Sequence, residues 1–339
     1  MPPLFTASDK NLLLQHGITA LLALAQRRGG KLHKLLSGTK IFEPDLSNPL
    51  ACCHHQDWLK LISHCQQLQS PELPFLLADS LLNSRTLALS QSLFFARDLA
   101  HSMQQLLYFR HQVLPALYPK IQQVDNNLML VFKPAVALGA QQQFIIVLAI
   151  SFIIKLIQHQ LGNNLGVAVQ LQQARPAHLQ HFTAHWHCAV RFEQHFDAIL
   201  IPLSLWHQPF SGRDHAKQRE LRQYCRQLKQ QLPVKRGPLE LLQRLIAKAL
   251  PSQLGIEDAA AALNLSSSSL KRLLQQHQTN FATLADEVRR DKARLLLLQG
   301  NLSNRQLALQ LGYSDEHNFR RAFKRWTGML PSRVKALSH

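Results

Sequence analysis

The sequence predicts an α+β domain followed by an all-α domain with two helix-turn-helix motifs joined by a long helix. Three observations carry that prediction. Strand-like and helix-like patterns alternate up to about residue 231, and no strand pattern follows. Between them Q-L-P-V-K-R-G-P-L-E, Gln231 to Glu240, holds two prolines, a glycine and two adjacent cations, a composition suited to a linker. After the linker, one helical pattern occurs twice at almost constant spacing. The expected boundaries are 1–233 for the first domain, 234–238 for the linker and 239–339 for the second domain.

In the first domain, Asn11 to Arg27 reads as a helix stopped by Gly29-Gly30, and Asp57 to Leu68 as a second, amphipathic one. Ser90 to Tyr108 and Ala140 to Leu161 carry helical patterns as well. Leu128 to Phe132, Val167 to Leu171, Ala189 to Phe192 and Ala198 to Pro202 are short β-branched or apolar runs that predict strands. The segment L-R-Q-Y-C-R-Q-L-K-Q-Q-L places Leu221, Cys225, Leu228 and Leu232 on one seam. That seam suits either a homodimer contact or a helix docked on its own domain.

Bulk composition narrows the function. The chain has 339 residues, enough for two cores, with Lys+Arg 38 against Asp+Glu 20 and a formal charge of +18. An excess of that size points to a polyanion, nucleic acid before a membrane surface. Five cysteines, Cys52, Cys53, Cys65, Cys188 and Cys225, are an odd number without a C-x-x-C, so reduced thiols in the cytoplasm are expected. The start M-P-P-L-F-T-A-S-D-K lacks a signal-peptide pattern. The apolar run Phe144 to Ile154 stops at Lys155, short of the roughly 20 residues of a membrane span, and predicts a buried core helix. C-C-H-H-Q-D-W, Cys52 to Trp58, places its pairs too close together to converge on one tetrahedral ion, so no metal is expected there. In A-H-W-H-C, Ala184 to Cys188, His185 and His187 alternate as on a strand edge, again without ligand geometry. Neither a G-x-S-x-G, nor a Walker, nor a G-x-G-x-x-G pattern occurs, so no catalytic residue and no cofactor is expected.

After the linker, Pro238 to Leu250 reads as an amphipathic helix. The repeated pattern follows. In Ser266 to Gln276, Leu270, Leu273 and Leu274 share one helical face, with Ser268, Lys271, Arg272 and Gln275 opposite. Forty-nine positions on, Phe319, Ala322 and Phe323 repeat the apolar face, and His317, Arg320, Arg321 and Lys324 the polar one. Upstream, Ala260 to Ser266 matches Ala308 to Ser314 at an offset of forty-eight, and the extra residue is expected at the start of the second helix. Ser314 is expected to cap that helix, with Asp315 and Glu316 in its first turn. Each copy has helix-turn-helix layout, at 255–276 and 303–326, in which the second helix enters the major groove of double-stranded DNA. Between them Phe281 to Gln299 carries an apolar stripe of Phe281, Leu284, Val288, Leu295 and Leu298. It would span roughly 28 Å, against roughly 34 Å between successive major grooves, a mismatch that DNA bending can absorb.

These residues carry a resemblance. D-K-A-R-L-L-L, Asp291 to Leu297, followed by L-A-L-Q-L-G-Y-S-D-E-H-N-F-R-R-A-F-K-R-W-T-G-M-L-P-S, is similar to the DNA-binding domain of AraC/XylS-family transcription regulators. The chain departs from the family pattern at Leu302 and Gln306-Leu307, where an isoleucine pair is usual. It departs again at His317 or Asn318, where a small hydroxyl residue is usual. Gly30 to Leu46 and His187 to Phe192 resemble the arabinose-binding type of effector domain. The resemblance implies a one-component regulator with a small-molecule effector and contact with RNA polymerase. The basic surplus of the first 236 residues leans toward an anionic effector. By motif position, Ser268, Lys271, Arg272, Gln275, Glu316, His317 and Arg321 should face bases. Arg320, Lys324 and Arg325 should hold phosphates, while Phe319, Phe323 and Trp326 should be core. Two alternatives stand beside this reading. One is a DNA-binding protein whose first domain makes only protein contacts. The other is an enzyme fused to a DNA-binding domain, which would need an activated cysteine in a four-cysteine site that this chain lacks.

Overall fold

The computed structural model describes residues 9–10, 12–48, 50–163, 165–231, 236–300 and 302–336. Of these, the described residues within 9–134 and 138–231 group into one compact unit, and 135–137 with those within 236–336 into a second. Residues 234–235 of the expected linker lie outside the described residues, as do Asn11 and Leu232.

In the first unit, strands β1 (Leu12–Leu13) and β2 (Cys52–Cys53) pair antiparallel. Helices α1 (Leu14–Gln26) and α2 (Leu32–Leu35) lie between them in the chain, and α3 (His55–Gln66), α4 (Leu73–Leu82), α5 (Ala88–Phe94) and α6 (Leu99–Phe109) follow β2. The main sheet has the order β3 (Leu117–Val124), β4 (Asn127–Pro134), β7 (Ala198–Pro202), β5 (Ala168–Gln170), β6 (Ala189–Arg191). Its pairs are antiparallel except β5 with β6. Helix α7 (Gln142–Leu161) runs between β4 and β5, α8 (Leu179–Trp186) lies between β5 and β6, and α9 (Leu203–Trp206) and α10 (His215–Gln231) close the unit.

Four expectations need correction here. The single helix over Ser90 to Tyr108 is two helices, because Asp98 leaves the helical conformation to cap α6, accepting from the His101 amide at 2.8 Å. The strand β3 escaped the sequence pattern because Pro119 and a polar run, Lys120 to Gln123, interrupt it. At the sheet edge a proline loses no ladder bond, and Pro119 sits opposite Phe132 in register. Ala184 to Trp186 is helical rather than a strand edge, since Phe182 and Trp186, four residues apart, pack together against Phe75. The length ground for excluding a membrane span also fails. The apolar helix is 20 residues long, and Gly139–Leu161 is apolar enough to cross a membrane. Burial supports the core reading instead, since Phe144 to Ile154 are all below a tenth exposed.

On α10, Cys225 is buried against its own unit, where Gln112 Nε2 donates to its carbonyl at 3.0 Å, and Leu221 and Leu228 are half-buried. The seam is therefore docked on its own domain over these residues. All five cysteines are free thiols, and burial pushes Cys65 and Cys225 up to about 12.

The second unit is built from α11 (Pro238–Ala249), α12 (Ile256–Ala262), α13 (Ser267–Gln276), α14 (Phe281–Leu298), α15 (Asn304–Gln310), α16 (Glu316–Thr327) and α17 (Pro331–Ala336). It contains two separate cores. Leu242, Ile246, Ala260, Leu270, Leu274 and Leu284 centre the first, and Ala293, Leu297, Leu307, Leu311, Phe319 and Phe323 the second. Helix α14 feeds both, with Leu284, Ala285 and Val288 in one and Ala293 and Leu297 in the other. At 3.6 residues per turn those two sets lie roughly 120 to 150° apart around its axis. The expected single stripe through Leu295 and Leu298 therefore fails beyond Val288, because the helix serves two cores that sit on different sides.

Candidate nucleic-acid interface

Each helix pair turns at a residue with positive φ, Asn264 at 56° and Gly312 at 81°. Asparagine tolerates that left-handed conformation and glycine adopts it without strain. Gly312 meets a second constraint, since a Cβ there would run into the carbonyl oxygen of Pro251. Gln253 Nε2 also donates to the Gly312 carbonyl at 3.3 Å, so the loop ahead of α12 rests on the turn of the second helix pair.

The second helices are capped differently. Ser266 caps α13, its hydroxyl accepting from the Ser269 amide at 3.1 Å. On α16 the cap is Asp315 rather than Ser314, and Asp315 accepts from the Asn318 amide at 2.8 Å. The extra residue of the second copy therefore falls in the turn, before the helix begins. Ser314 donates to Asp315 instead of capping. These bonds, the Asn318 amide first, hold the Asp315 carboxyl below its ordinary range.

The apolar faces fill the cores as expected, Phe319 and Phe323 completely, with Trp326 half-buried against the second. The opposite faces are in solvent. Ser268, Lys271, Arg272 and Gln275 are exposed on α13, as are His317, Arg320, Arg321, Lys324 and Arg325 on α16. Glu316 is half-buried, accepting from Asn304 Nδ2 at 3.3 Å with Arg320 at 4.0 Å. Arg325 pairs with Asp286 of α14 at 2.8 Å, which ties α16 to the long helix.

One orienting residue escaped the sequence reading. Asn318 Nδ2 donates to Asp315 Oδ2 at 2.6 Å, and its Oδ1 accepts from Arg321. The helix cap thus reaches the guanidinium through a chain of side chains three residues apart. The signal was the D-x-x-N-x-x-R spacing. An open groove of about 620 Å³ lies beside this chain, lined in part by Gly312, Tyr313, Asn318 and Arg321. Among the described residues no three His, Cys, Asp or Glu side chains cluster to hold a metal ion.

Comparison with known proteins places this architecture. A family model described as a helix-turn-helix domain matches residues 259–336. Another, the N-terminal arabinose-binding domain of AraC transcription regulators, matches residues 29–210. The ornithine utilization regulator of Pseudomonas aeruginosa is 27% identical over 316 residues, covering 92% of this chain and 93% of that protein. The regulator VirS of Mycobacterium tuberculosis is 29% identical over 150 residues, 44% of each chain. Among solved structures, the transcriptional regulator CdpR of P. aeruginosa aligns over 81% of this chain and 91% of its own, at 17% identity and a TM-score of 0.40.

Proposed function

Because this chain belongs to the AraC family of transcription regulators, we propose that α13 and α16 enter adjacent major-groove segments of promoter DNA. It is a DNA-binding transcription regulator with an effector-domain fold, and its relatives are regulators rather than enzymes. One observation carries the finer proposal. Both second helices bury an apolar face in separate cores and leave an exposed polar or basic face, and one long helix joins the two cores.

On this reading Arg272 and Arg321 read guanine edges bidentately, with Ser268, Lys271, Gln275 and His317 beside them. Glu316 already accepts from Asn304 and lies 4.0 Å from Arg320, and Arg321 already donates to Asn318, so reading a cytosine amine or a guanine edge uses the acceptor and donors these contacts leave over. Arg320 and Lys324 hold phosphates. Arg325 does so by dividing its five donors between Asp286 and the backbone. We assign 1–233 to regulation, 234–238 to the linker and 239–339 to DNA binding. The same reading places the protein in the cytoplasm, with RNA polymerase as a partner and a small molecule shifting the population between domain arrangements. A homodimer would use a face of α10 other than the one that buries Cys225. If the first domain makes only protein contacts, no small molecule will alter promoter affinity.

The test is a titration of promoter DNA with the double variant Arg272→Ala, Arg321→Ala. Two bidentate contacts at about 1 kcal/mol or more each predict at least about a thirtyfold loss of specific affinity. Unchanged specific affinity would overturn the assignment.

A further inference from the structure

We propose that the two DNA-reading helices differ in stringency, and that Asn318 is the positioning residue that makes the second the stricter reader. The proposal rests on the reading that α13 and α16 enter DNA. Aligned from their caps, the two helices match position by position, Ser266 with Asp315, Ser269 with Asn318 and Arg272 with Arg321. The surroundings of the two arginines differ. An ionised carboxylate only accepts, so the Asn318 amide must turn its NH₂ to Asp315 Oδ2, at 2.6 Å. That fixes which end of the amide is left over. Its Oδ1 faces Arg321 and accepts from Nη2.

In the first helix the same two positions hold serines. Ser266 Oγ donates to Ser269 Oγ at 2.9 Å, and the chain of contacts stops there. A serine hydroxyl lies closer to the backbone than an asparagine carbonyl oxygen, and Arg272 makes no hydrogen bond or ion pair among the described residues. The two arginines therefore approach DNA in different states. An arginine side chain carries large rotamer entropy, and the part removed before binding is not lost again on binding. The engaged Nη2 hydrogen of Arg321 leaves the rest of the fork for guanine O6 and N7. Adenine offers an amine where guanine offers O6. A held guanidinium cannot swing away from that amine, whereas Arg272 is at liberty to turn to a phosphate. The Asn318 bond is weak in water and strengthens as the groove excludes solvent.

The test is binding-site selection with the full chain from a randomised duplex pool, then competition with duplexes in which single guanines become adenine. Arg272→Ala and Arg321→Ala identify the guanine that each arginine reads. In the unsubstituted chain, the preference at the Arg321 guanine should be sharper by about threefold or more. Asn318→Ala keeps the helix cap, because Asp315 still accepts the backbone amide at that position. It should flatten the Arg321 preference by about threefold or more with the salt slope unchanged, since no phosphate contact is lost. Ser266→Asp with Ser269→Asn transplants the chain into α13, where aspartate caps as serine does, and should sharpen the Arg272 preference by a similar factor. Guanine preferences untouched by either arginine substitution would overturn the DNA reading itself. If those substitutions flatten their positions and Asn318→Ala does not, the positioning role fails and the DNA reading stands. Equal preferences in the unsubstituted chain, or a transplant that leaves Arg272 unsharpened, would overturn the asymmetry.

Discussion

A single alanine inserted between Arg289 and Arg290, midway along α14, should uncouple the two DNA-reading helices. The insertion point lies between the residues that serve the first core, ending at Val288, and those that serve the second, starting at Ala293. One added residue rotates everything downstream by roughly 100° and advances it by about 1.5 Å. Helix α16 packs directly on α14, at an axial separation of about 9 Å for packed helices. The rotation therefore swings α16 through a chord of about 14 Å, more than the roughly 12 Å width of a major groove. It also breaks the Gln253–Gly312 contact and the Asp286–Arg325 pair. Both cores survive, because each keeps its own part of α14. The assay is DNase footprinting with affinity measured across a salt series. Protection should shrink to one groove segment and specific affinity should fall at least about a hundredfold. The salt slope should drop by about 2.7, at 0.9 for each of Arg320, Lys324 and Arg325. A variant that is folded by circular dichroism and still protects both segments with unchanged affinity would refute the idea that α14 sets their phase.

Two further outcomes follow from the structure. Gly312→Ala should lower the stability of the second unit and weaken promoter binding together. It strains a turn at φ 81° and drives a Cβ into the Pro251 carbonyl, so binding that is lost without any change in Tm would contradict it. In the first unit, Asp98 and Asp197 should show opposite pH signatures. Burial raises the Asp98 carboxyl, but the His101 amide and Arg97 outweigh it and hold it below its ordinary value. Its contribution is therefore present above the ordinary aspartate range and lost as pH falls through the lower folded value. Asp197 is raised by burial despite two bonds from Gln172, so its contribution is full at acid pH and erodes as pH rises from the ordinary value to the raised one. Denaturant melts of Asp98→Asn and Asp197→Asn across pH 3 to 7 check both signs. Parallel pH profiles would contradict the assignment.

Much of the second unit was legible in the chain itself. Leu270, Leu273 and Leu274, and again Phe319, Ala322 and Phe323, recur at the helical period, and a face that is apolar every third and fourth residue must be buried. The exposure of Arg272 and Arg321 follows from the same geometry, since the opposite side of such a helix is left to water. What periodicity carries is local. It could not show that Asp315 would take the cap from Ser314, because both are capping residues and the choice depends on the turn set by Gly312. Nor could it show that Asn318 would link that cap to Arg321.

In the first unit the short β5 and β7 announced themselves by their apolar runs, but β3 was hidden by Pro119, whose acceptability depends on an edge position that only strand order defines. A cavity in this unit draws its wall from Phe75, Phe144 and Phe182, which are far apart in the chain, so no local pattern could reveal it. The sequence by itself determined which faces must be buried and where the two helices with exposed polar faces lie, because burial of an amphipathic face depends only on residues a turn apart. Only the tertiary structure decided that α14 turns one side to each core, and which distant side chains share a wall. Those outcomes depend on contacts between segments that the chain order leaves independent.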